Sequence, residues 1–178
     1  VRLGDDDLRT RIGIRLVAVE GRDILINGAS VRLLGFNRHA AHPQFGHAVP
    51  EMVMASDIQQ LRDMGCNFVR GSHYPQDARF LDLCDEAGLC VWSEAIGWQH
   101  TDEHLTDDRF VNAQLKHIDE MVASATNHPS VIMWGILNES HSHDPVCRPG
   151  YQKLLGRLRD LDGSRPVTHA SNHPYEDV

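Results

Sequence analysis

Glu139 closes an apolar run over residues 131–137, with Asn138 between the run and the carboxyl. A short apolar run bounded by turn residues reads as a strand buried on both faces. Asn127-His128-Pro129 precedes this run, and Ser140-His141-Ser142-His143-Asp144 follows Glu139. A carboxyl at the carboxyl end of such a strand sits at the rim of an α/β core, where α/β barrels carry their chemistry. Four other apolar runs end in the same way. They lead to Asn37, Arg38 and His39; to Arg70, Ser72, His73 and Tyr74; to Glu94, with Trp98 and His100 beyond it; and to Ser171, Asn172 and His173. Amide, imidazole, guanidinium and carboxylate groups offer donors and acceptors in fixed directions, as sugar hydroxyls require. Trp adds a flat apolar face for sugar C–H groups. Cleaving a glycosidic bond needs two carboxyl groups across it, one of them protonated, and Glu139 is the candidate for the protonated one.

The elements that would position these groups alternate from residue 31 onward. Strands are expected over 31–35, 67–71, 89–93, 131–137 and 166–170. A helix is expected over 50–64, with Ile58, Leu61 and Met64 on one face and Gly65 as its stop. Asp77 can cap a second helix that carries Phe80, Leu81, Cys84 and Ala87 and ends at Gly88. Asp107 or Asp108 can cap a third, with an apolar stripe through Phe110, Val111, Leu115, Ile118, Met121, Val122 and Ala125. Pro129 forbids its continuation. Tyr151, Leu154, Leu155, Leu158 and Leu161 mark a fourth, ending near Gly163. Repeated strand–helix order implies parallel strands with right-handed crossovers, an α/β fold. Residues 1–30 read differently: they alternate around Gly21 and Asn27-Gly28 as antiparallel hairpins, a lead-in to the α/β part at 31–178. Five strands and four helices fall short of an eight-stranded barrel of ~250 residues. The pattern alone leaves open a complete open sheet or half a barrel.

Bulk properties narrow the partners. The 178 residues suffice for one domain with a substantial core. A formal net charge of −8 argues against nucleic acid or an anionic membrane as partner. No apolar run approaches the ~20 residues that span a bilayer. The polar, acidic start shows no signal peptide, and the absence of an initiator Met suggests an excised or processed piece. Asp5, Asp6 and Asp7 read as a solvated stretch. Cys66, Cys84, Cys90 and Cys147 form no CxxC pair and are expected to be reduced and inert. No cofactor is expected. His141-Ser142-His143-Asp144 is taken as a solvated loop in preference to a metal site.

Several segments, in order, resemble glycoside hydrolase family two, the family of β-galactosidases, β-glucuronidases and β-mannosidases. They are Leu34-Gly-Phe-Asn-Arg-His39, Asp57-Ile-Gln-Gln-Leu-Arg-Asp-Met-Gly-Cys-Asn67, Val69-Arg-Gly-Ser-His-Tyr-Pro75, Leu83-Cys-Asp-Glu-Ala-Gly-Leu89, Ser93-Glu-Ala95 and Asn127-His-Pro-Ser-Val-Ile-Met-Trp-Gly-Ile-Leu-Asn-Glu139. The resemblance implies a partial TIM barrel, with residues 1–30 as the tail of a preceding β-sandwich, and a retaining double displacement. It implies Glu139 as general acid/base and Asn138 as holder of the sugar 2-hydroxyl. His39 and His73 match substrate-contacting positions, Arg70 matches an arginine that supports the carboxylates, and Glu94 matches an acidic position at the site's floor. Trp98 reads equally as a sugar platform or a loop anchor and stands as a substrate-binding candidate. Trp92 and Trp134 lie inside strands and read as core, with an approach to the pocket left open for Trp134.

The sequence departs from the family in two places. The family's nucleophile is a glutamate on a later strand, near the seventh; no residue here matches it, and Glu176 falls too early. The galactosidase branch places a magnesium-binding Glu and His after the third strand; Trp98 stands at the Glu position and His100 at the His position. The expected parent reaction is therefore β-glycoside hydrolysis, with this stretch inactive alone and prone to self-association through an open half-barrel face. The alternatives are a non-catalytic carbohydrate-binding fragment and a metal-dependent hydrolase built on the histidines.

Overall fold

A computed structural model of the protein describes residues 2–4, 6–7 and 11–173; Asp5 and Glu176, named above, lie outside them. A short antiparallel pair, β1 (Arg2–Leu3) and β2 (Asp6–Asp7), comes first. Three antiparallel strands follow, β3 (Val17–Glu20), β4 (Asp23–Ile26) and β5 (Ala29–Val31). Asn27 and Gly28 turn β4 into β5 with φ of 53° and 80°, the doubly positive geometry that matches the twist of a two-residue hairpin. Val17, Ile24 and Ile26 of this small sheet pack on Ile132 and Met133, so it closes the lower end of the α/β part.

That part runs β6 (Gly35–Arg38), α1 (Glu51–Asp63), β7 (Phe68–Gly71), α2 (Ala78–Ala87), β8 (Cys90–Glu94), α3 (Asp102–Leu105), α4 (Asp108–Ala125), β9 (Val131–Ile136), a 3₁₀ turn at Pro145–Cys147, α5 (Arg148–Leu161) and β10 (Val167–His169). All neighbouring strands are parallel, and their order in the sheet is the order of the chain. An open doubly wound sheet reverses its order at a switch point. No reversal occurs here, so the strands form the wall of a partial barrel. The helices cover its outer face: Ile58, Leu61, Phe80, Leu81, Ile118, Met121, Leu154 and Leu158 pack on Val69, Val91, Trp134 and Ile136.

The helix signals were local and hold. Asp77 accepts a hydrogen bond from the Arg79 N–H, Asp107 from the Arg109 N–H, and the second helix stops at Gly88. Met64 is a correction. It follows α1 as an exposed cap residue, and Met54 takes the inner face beside Ile58 and Leu61. The first strand is a second correction. The apolar run 31–35 is no strand: β5 stops at Val31 and β6 starts at Gly35. Between them the Asn67 side chain accepts from the Leu34 N–H and donates to the Arg32 carbonyl. That amide supplements the two backbone bonds that the Leu34 carbonyl accepts from the Asn67 and Phe68 N–H groups, and Leu33 packs on the lower cluster. All four cysteines are free, and burial pushes the Cys147 thiol up to about 11.

The phase of β9 decides which of its side chains meet the site. Val91 pairs with Val131, but Trp92 pairs with Met133, so β9 carries one extra residue. Such a bulge re-aims the side chains beyond it. Ile132 and Met133 both join the lower cluster, and Trp134 turns outward into the helix layer. Its indole N–H donates to Asp162 at 2.9 Å and the Arg165 guanidinium lies over its ring. Trp134 therefore makes no approach to the pocket. Gly135 sits opposite Glu94, where a Cβ would come within 2.1 Å of Trp92 Nε1; only glycine leaves room there for the inward side chains of β8.

Candidate active site

The inward residues at the upper ends of β7, β8 and β9 form one buried polar cluster. Arg70 of β7 donates from Nε to Glu94 Oε1 at 2.8 Å and from Nη2 to Glu94 Oε2 at 3.0 Å. The same Nη2 reaches Asn138 Oδ1 at 2.7 Å and His73 Nδ1 at 3.2 Å. Beneath it, the Trp92 ring lies 4.4 Å from the guanidinium carbon, a cation–π floor that holds the fork flat. Glu94 is fully buried. Burial pushes its carboxyl up to about 7, and the Arg70 charge and hydrogen bonds pull against that rise. With its Oδ1 occupied by Arg70, Asn138 keeps its amide N–H groups as donors.

His73 is lowered from the usual imidazole range by burial, by Arg70 and by His39, against a smaller opposing pull from Glu139. Its Nδ1 lies 3.2 Å from Arg70 Nη2 and 3.5 Å from Glu94 Oε2, so the tautomer follows which of the two it engages. His39 meets it edge-on, with ring centres 5.2 Å apart. A pocket of about 490 Å³ opens beside them, lined by His39, His47, His73, Tyr74, Trp98 and His100 among others. Trp98 is 57% exposed there, and its backbone pairs with Asn138. Glu139, half-buried, is placed by its N–H donating to the Ala170 carbonyl beyond β10. Its carboxylate accepts from Gln99 Nε2 at 3.5 Å.

Backbone strain concentrates here. Among the described residues, four non-glycines hold positive φ: Asn27 in the hairpin, and Gln99, Leu137 and Glu139 at the site. Such conformations cost of order 1–3 kcal/mol each and persist where surrounding structure over-determines them. Leu137 stays in the core while Asn138 swings back to Arg70, and Glu139 turns again.

The structure thus brings Arg70, His73, Glu94 and Asn138 into one hydrogen-bonded group, with His39, Trp98 and Glu139 around the adjoining space. Sequence reasoning missed three participants. His47 lines the pocket, Trp92 is the floor under Arg70 and not plain core, and Gln99 touches Glu139. His141, His143 and His173 gather beside β9 and β10, with the rings of His143 and His173 3.6 Å apart. His143 Nδ1 is buried, so this stretch is less solvated than expected. Among the described residues, three close metal-type donors meet only at Asp82, Asp85 and His128. That group lies at the lower end of the barrel, where His128 Nδ1 is 2.7 Å from Asp85 and the Ser130 N–H donates to the same carboxylate. It pins the loop that leads into β9. A smaller cavity of about 180 Å³ near it, lined by Leu89, Pro129 and Ile132, is remote from the polar cluster.

Residues 17–178 match the family model described as "Glycosyl hydrolases family 2, TIM barrel domain". The chain belongs to glycosyl hydrolase family 2. This family 2 chain is 40% identical over 168 residues to the β-galactosidase of Thermoanaerobacter pseudethanolicus, covering 91% of itself and 21% of that protein. It is 36% identical over 169 residues to the β-glucuronidase of Sus scrofa, covering 93% of itself and 25% of the relative. Among solved structures, the β-galacturonidase of Eisenbergiella tayi bound to galacturonate superposes with a TM-score of 0.88 at 41% identity, over 91% of this chain and 29% of that one. The family 2 chain thus spans about a quarter or less of these curated relatives.

Glu94 gives the family 2 site a pH signature. Its folded pKa lies above its ordinary value of 4.5, so between pH 4.5 and 7 the folded state binds more protons than the unfolded. Stability from this group is full below about 4.5 and is lost as pH rises through 7. Denaturant unfolding should show a loss of about 2–3 kcal/mol over that window, with His73 acting in the opposite sense. Glu94→Gln should flatten the fall. Equal slopes for the two proteins would show that Glu94 does not titrate there.

Proposed function

We propose that these residues are the acid/base half of a retaining β-glycosidase. The observation that carries this reading is Glu139 at the end of β9, beside an Asn138 whose amide is held by Arg70 and keeps N–H donors free. In the first step Glu139 protonates the leaving glycosidic oxygen; in the second it takes a proton from the water that releases the sugar. Asn138 holds the sugar 2-hydroxyl, His39 and His73 contact neighbouring hydroxyls, and Trp98 faces a sugar ring. Arg70 and Glu94 keep the floor rigid. The substrate classes to test are those named by the relatives: β-galactosides, β-glucuronides and β-galacturonides.

The second carboxylate is the other part of this reading. Among the described residues the ends of β6 to β10 carry two glutamates, and Glu94 is committed to Arg70. The 178 residues by themselves are therefore read as catalytically incomplete. Residues 1–30 are read as the tail of a β-sandwich and 31–178 as the first half of the barrel, open to a second copy between β6 and β10. The test has two arms. The purified 178-residue chain should show no turnover of nitrophenyl β-glycosides. An enzyme that supplies both carboxylates should release its sugar first as the β-anomer, followed by proton NMR before mutarotation. Turnover by the chain alone, abolished by Glu139→Gln, overturns the incompleteness; first release of the α-anomer overturns the retaining mechanism.

A further inference from the structure

The segment after β8 is stitched to the segment after β9 beyond the ends of both strands. The Asn138 N–H donates to the Gly97 carbonyl at 2.8 Å, and the Gln99 N–H donates to the Asn138 carbonyl at 2.9 Å. The His100 N–H donates to Ser140 Oγ at 3.0 Å, and the His141 N–H to the His100 carbonyl at 3.0 Å. Residue 99 therefore has a fixed place relative to residue 139. Both hold positive φ, 52° and 49°. Gln99 is a poor choice for that conformation on local grounds, since Gly, Asn and Asp adopt it more readily. Among the described residues its amide is the side-chain group that hydrogen-bonds the Glu139 carboxylate, Nε2 to Oε2 at 3.5 Å. Gln99 is otherwise solvent-exposed, so core packing does not account for it.

We infer that Gln99 is a positioning residue for Glu139, holding one carboxyl oxygen so that the other faces the glycosidic oxygen. This rests on the acid/base role of Glu139 proposed above. A primary amide suits a carboxyl that cycles between two protonation states. Its N–H donates to the ionised carboxylate, and after a flip about the terminal torsion its carbonyl accepts from the acid. A lysine would serve only the first state and a carboxylate only the second. The loop pairing sets the distance, and the two strained residues set the direction.

General acid catalysis matters in proportion to how poorly the leaving group departs, so the test is a leaving-group series. In the enzyme with both carboxylates, kcat/KM reports the first chemical step alone. Gln99→Met should lower it about 10-fold for alkyl and phenyl β-glycosides, a part of the 10²–10⁴ that a general acid contributes. It should leave 2,4-dinitrophenyl β-glycosides within about 2-fold, because that leaving group needs no proton. Gln99→Leu should behave alike, and both should melt as the wild type does, since the side chain is exposed. Glu139→Gln is the reference. If it steepens the leaving-group dependence and the Gln99 variants do not, this inference falls and the acid/base reading stands. If Glu139→Gln leaves the dependence unchanged, the acid/base reading falls and takes this one with it. Equal losses on good and poor leaving groups in the Gln99 variants would mark a merely structural role and overturn the inference.

Discussion

Arg70→Leu is expected to destabilise the chain by about 3–5 kcal/mol at pH 8, the cost of stranding one member of a buried ion pair. Among the described residues Arg70 is the sole guanidinium on Glu94, and it fills both oxygens of that buried carboxyl. Its removal also strips Asn138 Oδ1 of its donor. The loss should shrink toward pH 5. Burial already holds Glu94 near 7 with the arginine present; without it the carboxyl takes a proton more readily and the uncompensated charge disappears. The double variant Arg70→Leu, Glu94→Leu should recover much of the loss, because a pair replaced whole by apolar groups is often neutral. Urea unfolding followed by circular dichroism measures all three quantities. A loss below about 1 kcal/mol at pH 8 would show that the cluster does not hold the floor of the site.

Glu139→Gln is expected to reduce kcat/KM for unactivated aryl β-glycosides by about 10²–10⁴-fold in the enzyme with both carboxylates. The glutamine keeps the shape and the contact with Gln99 but has no proton to give. For activated glycosides the first step survives and the second slows, because water then lacks a base. Azide, an anion that attacks without one, should restore turnover and yield the β-glycosyl azide. Unchanged kinetics, or failure of azide to alter the product, would remove Glu139 from the reaction. The backbone should tolerate the change, since the Glu139 N–H bond to Ala170 and the φ of 49° do not depend on the carboxyl.

Much of the framework is written in short-range signals. The stripe Val111, Ile118, Met121 and Val122 needs only helical periodicity and is buried as that predicts. Asp77 and Asp107 cap because an acceptor two residues before a free N–H acts locally. The strand ends at Arg70, Glu94 and Asn138 are legible because each apolar run stops where the barrel rim begins. Where the reading slipped, the deciding contact was distant in sequence. Residues 31–35 look like a strand until the Asn67 amide, more than thirty residues away, ties residues 32 and 34 instead. Trp134 reads correctly as core, and the approach to the pocket left open for it is closed by one extra residue in β9 that sets its phase.

The sequence by itself determined the family, the parallel α/β order and which groups stand at the strand ends, because motif, periodicity and capping are properties of neighbouring residues. Only the tertiary structure decided which of those groups share a proton environment. Glu94 and Arg70 are 24 residues apart in the chain and Asn138 is 68 from Arg70, yet one guanidinium joins them, and its effect depends on a burial that no single segment creates. The same holds for Gln99. Its spacing from Glu139 carries no pattern, and the contact exists because two loops pair in register and two residues accept strained backbone to complete it.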